Sequence, residues 1–162
     1  MKRVILITGM SGTGKSTVLT ELARKGHRVV DTDYGEWSEN LDGTGWLWNE
    51  DRIMALLMGH NEGALFISGT VSNQGKFYSM FDAIVLLSAP LEVILERVAS
   101  RRNNPYGKTL AEREEIIHYV HTVEPLLRAG STFEIDTRKS IEEVTNELER
   151  IVTSQSKRGT SE

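Results

Sequence analysis

An α/β fold, in which a five-stranded, mainly parallel sheet is covered by helices on both faces, is what this sequence predicts. Two observations carry it. Short runs rich in apolar and β-branched residues alternate with segments of helical periodicity, and the first run passes through a glycine-rich loop straight into the first helix. No internal repeat or interdomain linker breaks this order, and 162 residues suit one domain able to bury its own core. Residues 1–153 are expected as that domain and residues 154–162 as a polar, flexible tail.

Val4 to Thr8 reads as the first strand, and Lys15 to Arg24 follows as a helix with Val18, Leu19 and Leu22 on one face. Arg28 to Asp31 is the second strand, Glu50 to Met58 a helix, and Ala64 to Ser68 the third strand. The fourth strand, Ala83 to Ser88, leads through Ala89 and Pro90 into a helix over Leu91 to Ser100, with the proline suited to a first turn. After a basic, turn-prone stretch at Arg101 to Lys108, Thr109 and Glu112 make a capping box for another helix, which Pro125 should kink or end. Thr132 to Ile135 is the fifth strand, and Ser140 with Glu143 caps a last helix running to about Val152.

Composition narrows the function classes. Hydrophobic residues make up 39% and charged residues 26%, the balance of a soluble globular protein. The absence of cysteine excludes disulfides, thiolate metal sites and cysteine nucleophiles, and suits a reducing compartment. The apolar run near the start is too short for a signal peptide, and no segment approaches the roughly 20 apolar residues of a membrane span. A cytoplasmic protein with no membrane partner is the expectation. A net charge of −4 and a pI near 5.6 leave no electrostatic footprint for nucleic acid, so a small-molecule partner is favoured.

Gly9-Met10-Ser11-Gly12-Thr13-Gly14-Lys15-Ser16 satisfies the phosphate-loop pattern G-x-x-x-x-G-K-[ST] without a departure, and Thr17 follows inside the helix. Its glycines let successive N–H groups turn inward at the positive end of the helix, making an anion nest. Lys15 is placed to reach the β- and γ-phosphates of a nucleotide, and Ser16 to give its hydroxyl to Mg²⁺. ATP and Mg²⁺ are therefore the expected cofactors.

Beyond the loop, the chain resembles the small-molecule and nucleotide kinases of the P-loop superfamily, above all the shikimate and gluconate kinase type. The resemblance runs from Val4 to about Val152 and rests on the phosphate loop, on Asp31-Thr32-Asp33, and on Arg97 with Arg101 before a short lid. It implies a three-layer fold with strand order 2-3-1-4-5, a lid over about 101–108 and an acceptor region over about 33–61. By the same resemblance Asp31 supports Mg²⁺ through water and Asp33 contacts the acceptor hydroxyl. Arg97 would stack on adenine, Arg101 would reach the transferred phosphate, and backbone at Asp136 to Arg138 would wrap the adenine edge. Arg102 is a substitute for Arg101.

Ser68-Gly69-Thr70 departs from the glycine triplet expected of a shikimate kinase, which puts shikimate itself in doubt. Gly69, Asn73, Tyr34 and Arg52 are candidate acceptor contacts, although Asn73 and Gln74 equally suit an ordinary turn. Trp37, Trp46 and Trp48 fit either an aromatic wall around the acceptor or a satellite core. His118 and His121, with no third ligand in view, read as surface residues. Over residues 33–52, Asp33, Glu36, Glu39, Asp42, Glu50 and Asp51 are acidic and Arg52 alone is basic, which favours a neutral or cationic hydroxyl acceptor over a nucleoside monophosphate. A hydroxy acid is the reserved exception. A nucleoside monophosphate kinase and a nucleotide-gated adaptor without catalysis are the competing readings, and the chain is expected as a monomer or homodimer.

Overall fold

The computed structural model describes residues 1–40, 45–102 and 104–160. In chain order the elements are β1 (Lys2–Thr8), α1 (Lys15–Arg24), β2 (Arg28–Asp31), β3 (Ser38–Glu39), β4 (Leu47–Trp48), α2 (Glu50–Gly59) and β5 (Gly63–Ser68). A 3₁₀ helix (Gln74–Met80) follows, then β6 (Ala83–Ser88), α3 (Leu91–Ser100), α4 (Leu110–Thr122), α5 (Glu124–Gly130), β7 (Phe133–Asp136) and α6 (Ile141–Thr160). Five strands form one parallel sheet in the order β2-β5-β1-β6-β7, which is 2-3-1-4-5 when its members are counted along the chain. The resemblance implied this order. The connection from β1 runs to β2 and that from β5 runs to β6, in opposite directions along the sheet, so the carboxyl ends of β1 and β5 form the switch point at which sheets of this kind leave a ligand-binding crevice.

Alternation along β1 assigns its side chains to two layers. Ile5 and Ile7 pack with Val18, Leu19 and Leu22 of α1 and with Val144, Leu148 and Ile151 of α6. Val4 and Leu6 face the other way, against Ile53, Leu56 and Leu57 of α2, Phe77 of the 3₁₀ helix, and Trp48. A third cluster joins Met10 of the phosphate loop to Ile94 and Val98 of α3, Ile116 of α4 and Leu127 of α5. Burial on this scale is the main stabilising term, at about 25 cal/mol per Å² of apolar surface removed from water.

Several local expectations need correction. Pro90 is the N-cap of α3 rather than a residue of its first turn. The helix opened by Thr109 does carry its capping box, but it stops at Thr122, and Pro125 sits at the start of a separate helix, α5. Proline has no N–H for the preceding turn, and a fresh first turn is where that loss costs least. The last helix runs past Val152 to Thr160, since no glycine or proline precedes Gly159 to stop it; Ile151 and Val152 are buried on it. The antiparallel β3–β4 ribbon was not anticipated.

Candidate functional site

The phosphate loop leaves β1 at Gly9, whose φ of +150° and close approach to β6 both call for glycine: a Cβ there would sit 2.5 Å from the Leu87 carbonyl oxygen. Gly14, at φ +99°, is the N-cap of α1, and no side chain caps that helix end. Its first N–H groups are left for a ligand. Buried Thr13 braces the loop by donating from its hydroxyl to the Met10 carbonyl at 2.8 Å. Lys15 folds back over the loop, donating to the Gly9 carbonyl at 2.6 Å and the Met10 carbonyl at 3.1 Å. Burial pushes its ammonium below the usual lysine range; Asp33 and Asp31 oppose that shift and Arg101 adds to it. Ser11, Gly12 and Thr17 complete the loop and first turn, with Thr17 exposed.

At the end of β2 the Ser16 hydroxyl donates to Asp31 at 2.8 Å, so the two expected metal residues meet. The other Asp31 oxygen accepts the Asp33 N–H at 3.1 Å, making an Asx turn that fixes the backbone of Asp33 at the carboxyl end of β2. Desolvation raises the Asp33 carboxyl above its ordinary value; Lys15 pulls it down and Asp31 pushes it up. Among the described residues no group of three or more His, Cys, Asp or Glu gathers as a metal site, and His118 and His121 lie exposed on α4. The Ser16 hydroxyl and the Asp31 carboxylate fit Mg²⁺, the first as a ligand and the second through a bound water, since that ion ordinarily keeps several waters and takes the rest of its ligands from nucleotide phosphates.

The arginines are placed differently from one another. Arg101 donates to the carbonyls of Asn104 at 3.2 Å and Tyr106 at 2.8 Å, and to Ser11 Oγ at 3.3 Å, so it ties the stretch expected as a lid to the phosphate loop. The Tyr106 hydroxyl donates to Glu115, and burial, reinforced by that carboxylate, pushes the phenol well above its usual range. Arg97 donates to the Gly12 carbonyl at 3.4 Å and to Thr137 through its hydroxyl at 3.0 Å and its carbonyl at 2.6 Å. It thus joins the phosphate loop to the turn after β7. In that turn Arg138 forms an exposed fork with Asp136, whose carboxyl this pairing drops to about 2.

On the side where the sequence places the expected acceptor region, Gly69 is a close-packing position, because a Cβ would overlap Thr32 Oγ1 and crowd the Trp48 ring. Trp48 is fully buried and donates from Nε1 to Thr32 Oγ1 at 2.9 Å; Trp37 packs at the edge of the same cluster, and Trp46 is exposed. Trp48 is therefore core, which settles that residue on the satellite-core side. Asn73 does not present a free amide: it accepts from the Trp48 N–H at 2.9 Å and donates to the Trp48 carbonyl and to Glu50, each at 3.0 Å. These bonds clamp the Trp48 peptide to the start of α2. Arg52 stacks 4.7 Å from the Trp37 ring centroid, with Glu36 3.6 Å away. Tyr34 is 61% exposed beside Asp33. Lys76, from outside the 33–52 segment, reaches Glu50 at 3.0 Å and offsets part of the acidic count; Asp42 lies outside the described residues.

Sequence reasoning missed Thr8 and Thr70 as supports of the loop. Thr70 Oγ1 donates to the Gly9 carbonyl at 2.7 Å and lies 3.1 Å from Thr8 Oγ1. A threonine in place of a glycine of the expected triplet was the available signal.

This constellation on this sheet defines a P-loop protein with the fold of the shikimate and gluconate kinase type. The chain belongs to the AAA domain family, which matches residues 5–118. A nucleotide-binding protein from Thermosipho africanus (strain TCF52B) is 30% identical over 138 residues, covering 85% of this chain and 49% of the relative. Another from Thermotoga neapolitana is 30% identical over 141 residues, covering 86% and 49%. The chain spans about half the length of these curated relatives. Among solved structures, shikimate kinase from Acinetobacter baumannii in complex with shikimate is similar with a TM-score of 0.69 at 20% identity, over 95% of this chain and 94% of that one. Shikimate kinase from Bacteroides thetaiotaomicron gives 0.65 at 17% identity, over 93% and 98%. A sugar kinase from Janibacter sp. HTCC2649 gives 0.57 at 16% identity, over 91% and 92%. These last three likenesses are of fold. Among the described residues no helix is long and apolar enough to cross a membrane.

Proposed function

We propose that the protein is an ATP-dependent kinase that phosphorylates a hydroxyl of a small acceptor. The observation that carries this reading is a phosphate loop with Lys15 folded onto the Gly9 and Met10 carbonyls and Ser16 bonded to Asp31, whose other oxygen holds the Asp33 N–H; burial lowers the Lys15 ammonium and raises the Asp33 carboxyl, each shift opposed by the other's charge. A carboxylate so placed is a stronger base than a free one, and a lysine beside it is held for anion binding. Neither is needed by the core.

Mg²⁺-bound ATP would supply the transferable phosphoryl group and the divalent charge that offsets its oxygens. The chain's own residues do the rest. Gly9 to Thr17 bind phosphate oxygens through backbone N–H groups and Lys15, and Ser16 with Asp31 holds the metal. Arg97 and the Thr137–Arg138 turn border the place for the base, and Arg101 keeps the lid over the loop. Asp33 takes up the acceptor's hydroxyl proton at its carboxylate oxygen. Tyr34, Gly69 and the Arg52–Trp37 pair line the acceptor side, and with Glu36 beside Arg52 they favour a neutral or cationic alcohol such as a nucleoside, polyol or amino alcohol. The reading keeps the protein in the cytoplasm, with no nucleic-acid or membrane partner.

The test is ADP release measured against a panel of nucleosides, sugars, amino alcohols, hydroxy acids and nucleoside monophosphates. Acceptor-dependent turnover with an alcohol supports the kinase, and a monophosphate preference would overturn the acceptor class. The curated relatives, called only nucleotide-binding proteins, favour a second reading, in which the site binds nucleotide and signals without an acceptor. Tight ATP binding with no acceptor-dependent turnover on any compound selects it.

A further inference from the structure

Beneath the phosphate loop lies a chain of buried polar side chains that the transfer chemistry does not use. Thr8 is fully buried and Gln74 is 2% exposed. Polar groups at such depth cost free energy unless each is bonded, and apolar residues would fill the same space more favourably.

The protons in this chain run one way. The Val71 N–H, 2.9 Å from the Gln74 amide oxygen, fixes the orientation of that amide, since only oxygen can accept there. Gln74 Nε2 must then donate, to Thr8 Oγ1 at 3.1 Å and to the Tyr78 hydroxyl at 2.9 Å. At the far end, Thr70 Oγ1 stands 2.7 Å from the Gly9 carbonyl, which can only accept, so the Thr70 proton lies on that bond. The Thr8–Thr70 contact at 3.1 Å is left to the Thr8 proton. Gly9 closes the circuit by donating its own N–H to Thr70 Oγ1 at 3.3 Å.

The Gly9 carbonyl therefore has two donors, Thr70 and Lys15 at 2.6 Å. The geometry points to Thr70 as a positioning residue, backed by Thr8 and Gln74, that keeps the first peptide of the phosphate loop in place when the Lys15 ammonium leaves the Gly9 carbonyl for a nucleotide phosphate. This rests on the nucleotide-binding reading above. Donors in series polarise one another, so Thr8 and Gln74 strengthen the last bond without touching ligand.

Two readouts separate this inference from that reading. The first needs no nucleotide: exchange of the Gly9 amide, followed by NMR, should quicken in Thr70→Val and return in Thr70→Ser. The second is the dissociation constant of Mg²⁺·ATP by calorimetry. Thr70→Val should weaken it about tenfold, the scale of one net buried hydrogen bond, with Thr70→Ser restoring it and Thr8→Val showing a smaller loss. Should Thr70→Val not fold, Thr8→Val and Thr70→Ser carry both measurements. A Thr70→Val protein with unchanged Gly9 exchange, or with faster exchange and unchanged affinity, overturns the positioning role. So does a Thr70→Ser protein as impaired as Thr70→Val. If the wild type binds no Mg²⁺·ATP, the nucleotide reading falls, and with it the need for a second donor at Gly9.

Discussion

The phosphate loop and the proposed acceptor region are built by different means. At the phosphate end, backbone does the shaping: Gly9 and Gly14 set the curve, α1 supplies free N–H groups, and β1 beneath is buried in mid-sheet. At the acceptor end, side chains from separate segments hold one another: Trp48 on Thr32, Asn73 on the Trp48 peptide, Lys76 on Glu50, Arg52 on Trp37. A backbone-built site is fixed by a short motif and tolerates little change. A side-chain-built site can be re-lined for a new ligand without disturbing the sheet, which is where a fold shared by proteins of different specificity has room to vary.

Removing Lys15 tests the rigid end most severely. Lys15→Ala should lower turnover at least about a hundredfold, as for loss of a preorganised charge contact, while the thermal midpoint changes little. Near-normal turnover would show that the loop alone suffices.

Asp33→Asn, at the seam of the two ends, should lower the catalytic rate by about a hundredfold, since an amide orients a hydroxyl but takes no proton. The carboxyl is raised in the folded protein, so its contribution to stability is present at low pH and lost as pH rises through the raised value. The amide variant should therefore melt at or above wild type at neutral pH. In the wild type, catalytic rate should fall as pH drops through a point above the ordinary aspartate value of 3.8. A rate that holds flat to that value would remove Asp33 as the base.

The lid and base contacts sharpen the comparison more gently. Arg101→Ala, by cutting the link from the Asn104 and Tyr106 carbonyls to Ser11 of the phosphate loop, should reduce catalytic rate more than nucleotide affinity, and Arg97→Ala, by loosening Gly12 from Thr137, should do the reverse. Steady-state kinetics with direct binding measurements decide this. Equal, small changes in both variants would make the pair structural only.

Trp48→Phe gives the smallest effect. It keeps most of the packing but drops the Nε1–H to Thr32, and should cost about 1 kcal/mol in denaturant unfolding with the Michaelis constant for ATP unmoved. A change in that constant would mean the two ends are mechanically coupled.

The same contrast explains what could be read from sequence. All five sheet strands and the phosphate loop were legible because each is a local pattern: a β-branched run, a glycine spacing, a capping residue three before a glutamate. The β3–β4 ribbon, two residues on each side, is too short to carry periodicity, and the 3₁₀ helix at Gln74–Met80 has little periodicity of its own. The break at Val123 lay two residues before the proline that marks it. Asn73 and Trp48 were visible as residue types, but their partners stand 25 positions apart in the chain, and only the fold brings them together. Lys76 upset the local charge count for the same reason.

The place of β1 in the sheet also has a consequence during synthesis. It is the first of the five strands to be made, yet Lys2 pairs with Gly63 on one side and Ile5 with Ala83 on the other. At about 5–20 residues per second, the ribosome takes roughly 3–12 s to deliver the first of those neighbours. For most of that interval, until α2 is made, an apolar strand with both edges open has α1 to cover one face and nothing of its final layer on the other, which leaves the nascent chain more exposed to aggregation than the finished protein.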